Sequence, residues 1–455
     1  MTLDIGGLIL ANALLGVLGA AVLLLLDAWR RLTRWTRPAV ALLAGQAAFA
    51  TGAPLLLYAR LSVSPFVVVP LLALVVTAGI VVDRRRARPA APRVGGQGWI
   101  AAVLAGIPLL VLAVRAALHP LFQFDTISNW VTKATFLWAG GHRVTGVLDA
   151  RFFARPDLHP QSHLEYPLGM NALYAWDEHW LGGVDPRLIH LQLVFVLAAA
   201  VVTTWVLLRP SVPAVPLAAG LAGLVMMPTV VDGLLSAYAD VPLACFWAVG
   251  TLALLRWRAE DERYLLWLGT VLLAGALALK QDAAFYDAAT YAAIALFAAR
   301  RRLLALATSA GLVVASAVPW RVYDAVYGLH DTDFGPGLAR MREQTGNLRP
   351  TATGLWHVLT GRPTLMAVPI AVAFAAVCVL RGRQAEAGPF LVATLVMLGS
   401  ITLAYWNAAV NLPLVLIPAL SRILAGLVVL AWLLLPLLVY HALAPSDAAD
   451  SEHGA

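Results

Sequence analysis

Charge is scarce in this sequence, and lysine and cysteine almost vanish from it. Only 13% of the 455 residues are charged against 61% hydrophobic, far from the roughly half-apolar, quarter-charged balance of a soluble globular domain. A water-soluble core cannot absorb that excess. Cysteine occurs twice, at Cys245 and Cys378, both inside long apolar stretches, which excludes a disulfide framework or a metal-spaced cysteine pair. There is no glycine-rich phosphate loop or dinucleotide-binding segment, no HExxH pattern and no internal repeat. The formal net charge is +7, but the basic residues fall in short clusters between apolar stretches and not along one soluble face. Topology therefore explains the charge better than nucleic acid does.

What the sequence has is repeated apolar runs near the roughly 20 residues needed to cross a hydrocarbon layer, such as Ile5 to Leu26 and Val212 to Val231. Runs this continuous suit helices and not a β-barrel. The first follows Asp4 without a basic flank and is long for a signal peptide, so it reads as a retained anchor. The expectation is an all-α polytopic membrane protein of about thirteen transmembrane helices, near 5-27, 38-58, 62-82, 99-118, 188-208, 211-232, 240-256, 264-279, 283-299, 303-319, 364-380, 388-406 and 412-440.

Arginine clusters set the orientation: Arg30 to Arg37, Arg84 to Arg88, Arg256 and Arg258, Arg300 to Arg302, and Arg381 with Arg383 mark the cytoplasmic side. With that parity, residues 119-187 and 320-363 form the two large outer loops. Residues 1-98 make an N-terminal three-helix segment, 99-440 the main transmembrane module and 441-455 a polar cytoplasmic tail. The stretch 167-181 reads as interfacial or re-entrant.

The first outer loop carries Phe124-Asp125 and then Ile127, Trp130, Val131, Ala134, Leu137 and Trp138 at helical spacing, stopped by Gly140-Gly141. This predicts a short amphipathic interfacial helix with Asp125 at its N-terminus. Asp125 is then either a helix cap or a carboxylate at the mouth of a cleft, able to take a proton from a substrate hydroxyl. Farther on, His159, His163, Glu165 and Tyr166 gather in a polar loop just before an apolar turn. Asp240 and Asp282 come to the same face, each placed to cap a helix or to serve a site. Both lysines of the chain, Lys133 and Lys280, fall there too, where an ammonium binds an anionic phosphate or merely snorkels at a helix end. Arg422 has the same two readings, phosphate ligand or carboxylate partner. Trp320, opening the second outer loop with Arg321, reads as an aromatic-belt residue.

Taken in order, the Phe124-Asp125 to Trp130 and Lys133 loop, the Glu165-Tyr166-Pro167-Leu168 turn, Tyr238-Ala239-Asp240, Lys280-Gln281-Asp282 and Ser421-Arg422 resemble the bacterial membrane glycosyltransferases of the GT-C superfamily, akin to protein O-mannosyltransferases and lipid A aminoarabinose transferases. The resemblance runs over about residues 100-440 and implies a GT-C-like bundle in the inner (plasma) membrane. It implies transfer of a sugar from a polyprenyl-phosphate donor to an acceptor hydroxyl on the non-cytoplasmic face. Asp125 would correspond to the first-loop catalytic acid, and Glu165 and Asp240 to later acidic positions. Trp130, Lys133, His163, Tyr166, Lys280, Asp282 and Arg422 would bind substrate. There is no doubled acidic pair at Asp125, and Gln281-Asp282 is a variant triplet, so a divalent metal is left open as cofactor. The acceptor and the sugar are left open as well, and no nucleic-acid partner is expected. A transporter or lipid flippase is the alternative; its signature is ionisable residues at mid-membrane and repeated halves with broken helices. A non-catalytic membrane scaffold would leave the placement of the two lysines unexplained.

Overall fold

The computed structural model describes residues 5–86, 98–121, 123–140, 163, 165–329, 342–361, 365–408 and 419–444. These residues are helical almost throughout. The helices are α1 (Ile5–Leu25), α2 (Arg37–Tyr58), α3 (Pro65–Arg84), α4 (Gly98–Leu118), α5 (Thr132–Gly140), α6 (Gly169–Leu181), α7 (Leu188–Leu208), α8 (Ala214–Met226), α9 (Pro228–Leu235), α10 (Asp240–Glu260), α11 (Arg263–Leu279), α12 (Ala283–Phe297), α13 (Arg300–Tyr327), α14 (Leu348–Gly361), α15 (Ala367–Leu380), α16 (Gln384–Trp406) and α17 (Ala425–Leu443).

Among the described residues nine helices are long and apolar enough to cross a membrane, and a tenth span results if α8 and α9, bent by 45° at their junction, count as one. The protein is therefore a multi-pass helical membrane protein. A helix stands near every one of the thirteen expected positions. Three of them, α11, α12 and α15, have only 17, 15 and 14 residues, about 21–26 Å at 1.5 Å per residue, against a hydrocarbon core of about 30 Å.

Contacts between the arginine clusters show how the helices run. Arg30 pairs with Asp83 at 2.5 Å and Arg31 with Glu262 at 2.8 Å. Arg86 donates to the Leu24 and Leu25 carbonyls at 3.0 and 2.9 Å. Arg258 reaches the Ala385 carbonyl, Arg302 reaches the Arg258 carbonyl, and Arg383 meets His441. All five basic clusters thus lie at one end of the bundle, and the long helices alternate in direction between that end and the one that holds Asp125, Asp240 and Lys280. The spacing of the basic clusters had set this parity.

Burial sorts centre from rim. In α10, 89% of the core window is buried, whereas in α3 and α4 only 17% is, and exposed side chains such as Phe66, Leu74, Ile107 and Leu110 cover those rim helices as a lipid-facing surface does. Small residues let the central helices close up. Gly19 and Gly45 face each other's helix so tightly that a side chain at either would collide with the facing backbone carbonyl, of Ala41 or of Leu15, the packing expected where lipid offers no hydrophobic drive. α2 also packs against α6, α7, α11 and α13, so the N-terminal helices share one core with the rest.

Two expectations need correction and one, the interfacial or re-entrant reading of 167-181, is sharpened. The apolar face of the first-loop helix does not lie on the membrane surface: Trp130, Val131, Ala134 and Leu137 are all buried and α5 packs on α6. The stretch 167-181 forms α6, whose residues Gly169 to Glu178 are buried without a break. Its 13 residues reach only about 20 Å, so it is an internal half-helix, closed by Gly182 at φ +73°, a left-handed end that glycine adopts freely. Finally, α13 does not stop at 319 but continues through Pro319 for 28 residues, about 42 Å, which takes Trp320 and Arg321 out of the second outer loop and into a helix. The first residues of the expected tail, 441–443, belong to α17; residues 445–455 and His159 lie outside the described residues.

Candidate functional site

The end opposite the arginine clusters holds a row of alternating charges. Asp125 Oδ2 accepts from Arg422 Nη1 at 2.5 Å, Arg422 Nε donates to Asp240 Oδ2 at 3.0 Å, Asp240 Oδ1 accepts from Lys280 Nζ at 3.0 Å, and Lys280 Nζ pairs with Asp282 Oδ2 at 2.7 Å. These five residues come from four separate places in the chain: the segment after α4, the start of α10, the break between α11 and α12 (Lys280 and Asp282), and the helical turn 419–423 ahead of α17. Exposure falls along the row from Asp125 to Lys280 and rises again at Asp282, whose side chain is 20% exposed. The side chains of Asp125 and Arg422 are 38% and 31% exposed, those of Asp240 and Lys280 only 7% and 6%. Asp240 has both oxygens committed to cations, which balances a charge that would otherwise be costly to bury.

The geometry decides the capping question for three carboxylates. Asp125 and Asp282 stand at the N-cap positions of their helical turns and Asp240 is the first residue of α10, yet none of the three helix starts has a side-chain cap hydrogen bond. Their oxygens turn instead to Arg422 and Lys280. Arg422 and Lys280 in turn sit beside aromatic faces, Arg422 at 4.0 Å from the Tyr238 ring centre and Lys280 at 6.0 Å from that of Tyr166, where the ring quadrupole favours a cation.

A second group adjoins the first through Tyr166. His163, in the left-handed region at φ +56°, stacks on Tyr166 with ring centres 4.5 Å apart, and Tyr166 stacks on Trp130 at 5.7 Å. His163 Nδ1 meets Glu165 Oε1 at 3.0 Å. Lys133 Nζ donates to the His163 carbonyl at 2.7 Å and the residue is 2% exposed. Burial pulls its ammonium down to about 8, against the opposing pull of the Glu165 carboxylate. Lys133, Lys280 and Trp130 are therefore all enclosed by protein, whereas Asp125, Arg422, His163 and Tyr166 retain exposed surface.

The segment carrying Asp125 is held by an uncommon device. Thr126–Val131 is a π-helical turn, a wide turn found mostly at functional sites. Asn171 of α6 donates to the carbonyls of Asn129 at 2.9 Å and Trp130 at 2.8 Å, and Thr126 donates to the Ser236 carbonyl. Asp125 is thus fixed from two sides just before α5.

Sequence reasoning missed several of the supporting residues. Trp320 is not an aromatic-belt residue: it is 5% exposed and its indole donates to the Glu165 carbonyl at 2.9 Å. Tyr238, named in the sequence only as part of the Tyr238-Ala239-Asp240 run and given no role, lies under Arg422, and its hydroxyl reaches Gln123 Oε1 at 3.4 Å. Tyr286 donates to the Ile423 carbonyl, pinning the turn that bears Arg422. No pattern in the sequence marks that contact.

Among the described residues no group of three or more His, Cys, Asp or Glu side chains is placed to hold a metal ion. The donor set itself argues the same way, since Asp125, Asp240 and Asp282 each spend an oxygen on Arg422 or Lys280. The described residues alone therefore offer no ready site for a divalent cation. No protein-family model matches the chain, and no curated protein or solved structure matches it significantly. The site is therefore read from its own chemistry.

Proposed function

We propose that the protein is a membrane glycosyltransferase of GT-C type, moving a sugar from a polyprenyl-phosphate donor to an acceptor hydroxyl. All thirteen membrane segments cross in this reading. The basic end faces the cytoplasm, as positive clusters favour, and the charge row faces the non-cytoplasmic side of the inner membrane. The observation that carries the reading is the row itself: a partly exposed carboxylate, Asp125, next to a partly exposed guanidinium, Arg422, the two backed by the buried pair Asp240 and Lys280.

A single inverting displacement uses each part. The acceptor oxygen attacks the anomeric carbon, its proton passes to Asp125, the bond from the anomeric carbon to the phosphate oxygen breaks, and the electron pair leaves with polyprenyl phosphate. A sugar or lipid hydroxyl is a weak nucleophile at neutral pH, so the general base contributes about 10²–10⁴ in rate. Arg422 offers the departing phosphate a planar fork of donors. Its Nη1 holds Asp125 Oδ2 in the resting state, leaving Oδ1 to take the proton. Asp240 acts by position, keeping Arg422 and Lys280 aimed, and Lys280 adds positive potential from behind. Glu165, His163 and Tyr166 shape the neighbouring wall, with Tyr166 and His163 offering a stacked aromatic face to a sugar ring.

The reading is tested with purified protein and a panel of radiolabelled polyprenyl-phosphate sugars. Asp125→Asn abolishes transfer while membrane insertion stays intact; undiminished transfer by that variant overturns the assignment.

A second reading, a transporter or lipid flippase, draws on two acids outside the row. Asp177 of α6 and Asp287 of α12 are buried, and neither carboxyl has a hydrogen-bond partner among the described residues; such groups are typical proton carriers within membranes. Movement of substrate across proteoliposomes that Asp177→Asn or Asp287→Asn abolishes, with no sugar released from any donor, would favour it.

A further inference from the structure

A hollow of about 440 Å³ lies far from the charge row, at the basic end of the bundle. It opens where three helix ends meet: the last turn of α10 and the first turns of α11 and α13. Its rim carries Arg263, Arg301 and Arg302 with a single carboxylate, Asp261, and its inner wall carries Leu266, Trp267 and Ala305. The volume falls in the range of roughly 300–1,000 Å³ typical of small-molecule sites.

The charges do not cancel. Asp261, held at φ +62° by the tight connection between α10 and α11, pairs with Arg302 at 3.1 Å and lies 3.7 Å from Arg301. Arg263 makes no ion pair among the described residues, and the Arg301 side chain is 77% exposed. Arg302 Nε is buried without a hydrogen-bond partner among the described residues. Three guanidiniums against one carboxylate leave a double positive excess around one hollow. The N-termini of α11 and α13 add the positive ends of two helix dipoles against the one negative end of α10.

Depth identifies the ligand class. The arginines stand at the helix ends, the level of lipid headgroups, while Leu266, Trp267 and Ala305 lie about one turn deeper, where acyl chains begin. Basic pockets between transmembrane helices are suited to anionic headgroups. We infer that this hollow binds the phosphate of an anionic phospholipid.

The test uses the full-length protein in detergent and native mass spectrometry, titrating dioctanoyl phosphatidylglycerol, dioctanoyl phosphatidylcholine and inorganic phosphate. One phosphatidylglycerol should bind per protein, and Arg263→Gln/Arg301→Gln should weaken that adduct by roughly thirtyfold, given the usual contribution of each arginine near an anionic surface. Ala305→Trp, which fills the hollow and removes no charge, should weaken it as well. Phosphatidylcholine should bind equally to wild type and variants, and Arg34→Gln, at the same end but outside the hollow, should leave phosphatidylglycerol unaffected. Phosphatidylglycerol binding that is unchanged by both pocket variants overturns the inference. Inorganic phosphate bound as tightly, with the same dependence on the two arginines, overturns the lipid as its source.

Discussion

Replacing Asp240 by asparagine probes the charge row at its centre. Asp240 is 6% exposed and each of its oxygens lies 3.0 Å from a cation, Lys280 Nζ or Arg422 Nε. Asparagine keeps the shape but removes the charge and turns an amide N–H₂ toward one of the cations. Lys280, itself 5% exposed, keeps only Asp282 as counter-ion. The loss is that of two charge-assisted contacts, about 1.5–3 kcal/mol each, while Arg422 still holds Asp125 and Lys280 still holds Asp282. Asp125→Asn, at the solvent-facing end of the same row, costs about 0–1 kcal/mol. The two substitutions are chemically identical and differ in burial and in the cations they release, two at Asp240 and one at Asp125.

Cys245 supplies the assay. It lies in α10 five residues beyond Asp240, is 2% exposed, and in a Cys378→Ser background is the one thiol of the chain. Its labelling by a maleimide, followed against increasing denaturing detergent, reports the opening of α10. Asp240→Asn should move the midpoint strongly and Asp125→Asn barely. Equal midpoints for the two single variants would refute the difference in burial on which the site is built.

Two further outcomes follow from packing and protonation. Gly45→Leu drives a side chain into the Leu15 carbonyl and should cost about 1–3 kcal/mol or more, read by the same Cys245 labelling; a neutral result would mean that α1 and α2 do not meet at Gly45. Lys133 gives a pH dependence: its proton leaves near pH 8 in the folded protein and near 10.4 when unfolded, so between those values the unfolded chain holds more protons and folding stability rises with pH. The gain of Lys133→Met over wild type should therefore be largest below pH 8 and shrink by about 3 kcal/mol as the pH passes 10; a difference independent of pH would contradict the burial of this ammonium.

The scarcity of charge is what made the site legible. In a chain with two lysines among 455 residues, Lys133 and Lys280 are informative wherever they fall, and Asp125, Asp240, Asp282 and Arg422 stood out against apolar neighbours. The alternating direction of the helices was legible for the same reason, because the arginine clusters are few and separate. Which way each side chain faces was not. Period and composition place Lys133 near a helix start, but only tertiary packing turns its ammonium toward the His163 carbonyl. Trp320 follows Pro319 and so looked like the first residue of a loop. Within a bundle a proline costs one N–H donor and is tolerated, so α13 runs on and delivers Trp320 to Glu165. The π-helical turn at Thr126–Val131 depends on Asn171, forty residues on and in another helix, and no local pattern announces it.

Arg422 joins the two halves of the proposed reaction, and that linkage is measurable. Counting charges, the row holds three aspartates against Arg422 and Lys280, and the carboxylate with the weakest claim on a cation is Asp125, the most exposed of the three. When a donor phosphate takes up the Arg422 fork, Asp125 loses its counter-ion just as the acceptor hydroxyl needs a base. Phosphate binding and proton removal then belong to one step. In that case Asp125→Asn and Arg422→Gln each disable the same step, and residues that act as a unit are grossly non-additive. Each single variant should lower transfer by about 10²-fold or more, and the double variant should be about as slow as the worse single. Independent roles would multiply, giving a double variant slower by about 10⁴-fold or more. A multiplicative result, measured as the transfer rate at saturating donor with the membrane-inserted amount of each variant held equal, would separate the two residues and break the coupling that makes Arg422 the hinge of the site.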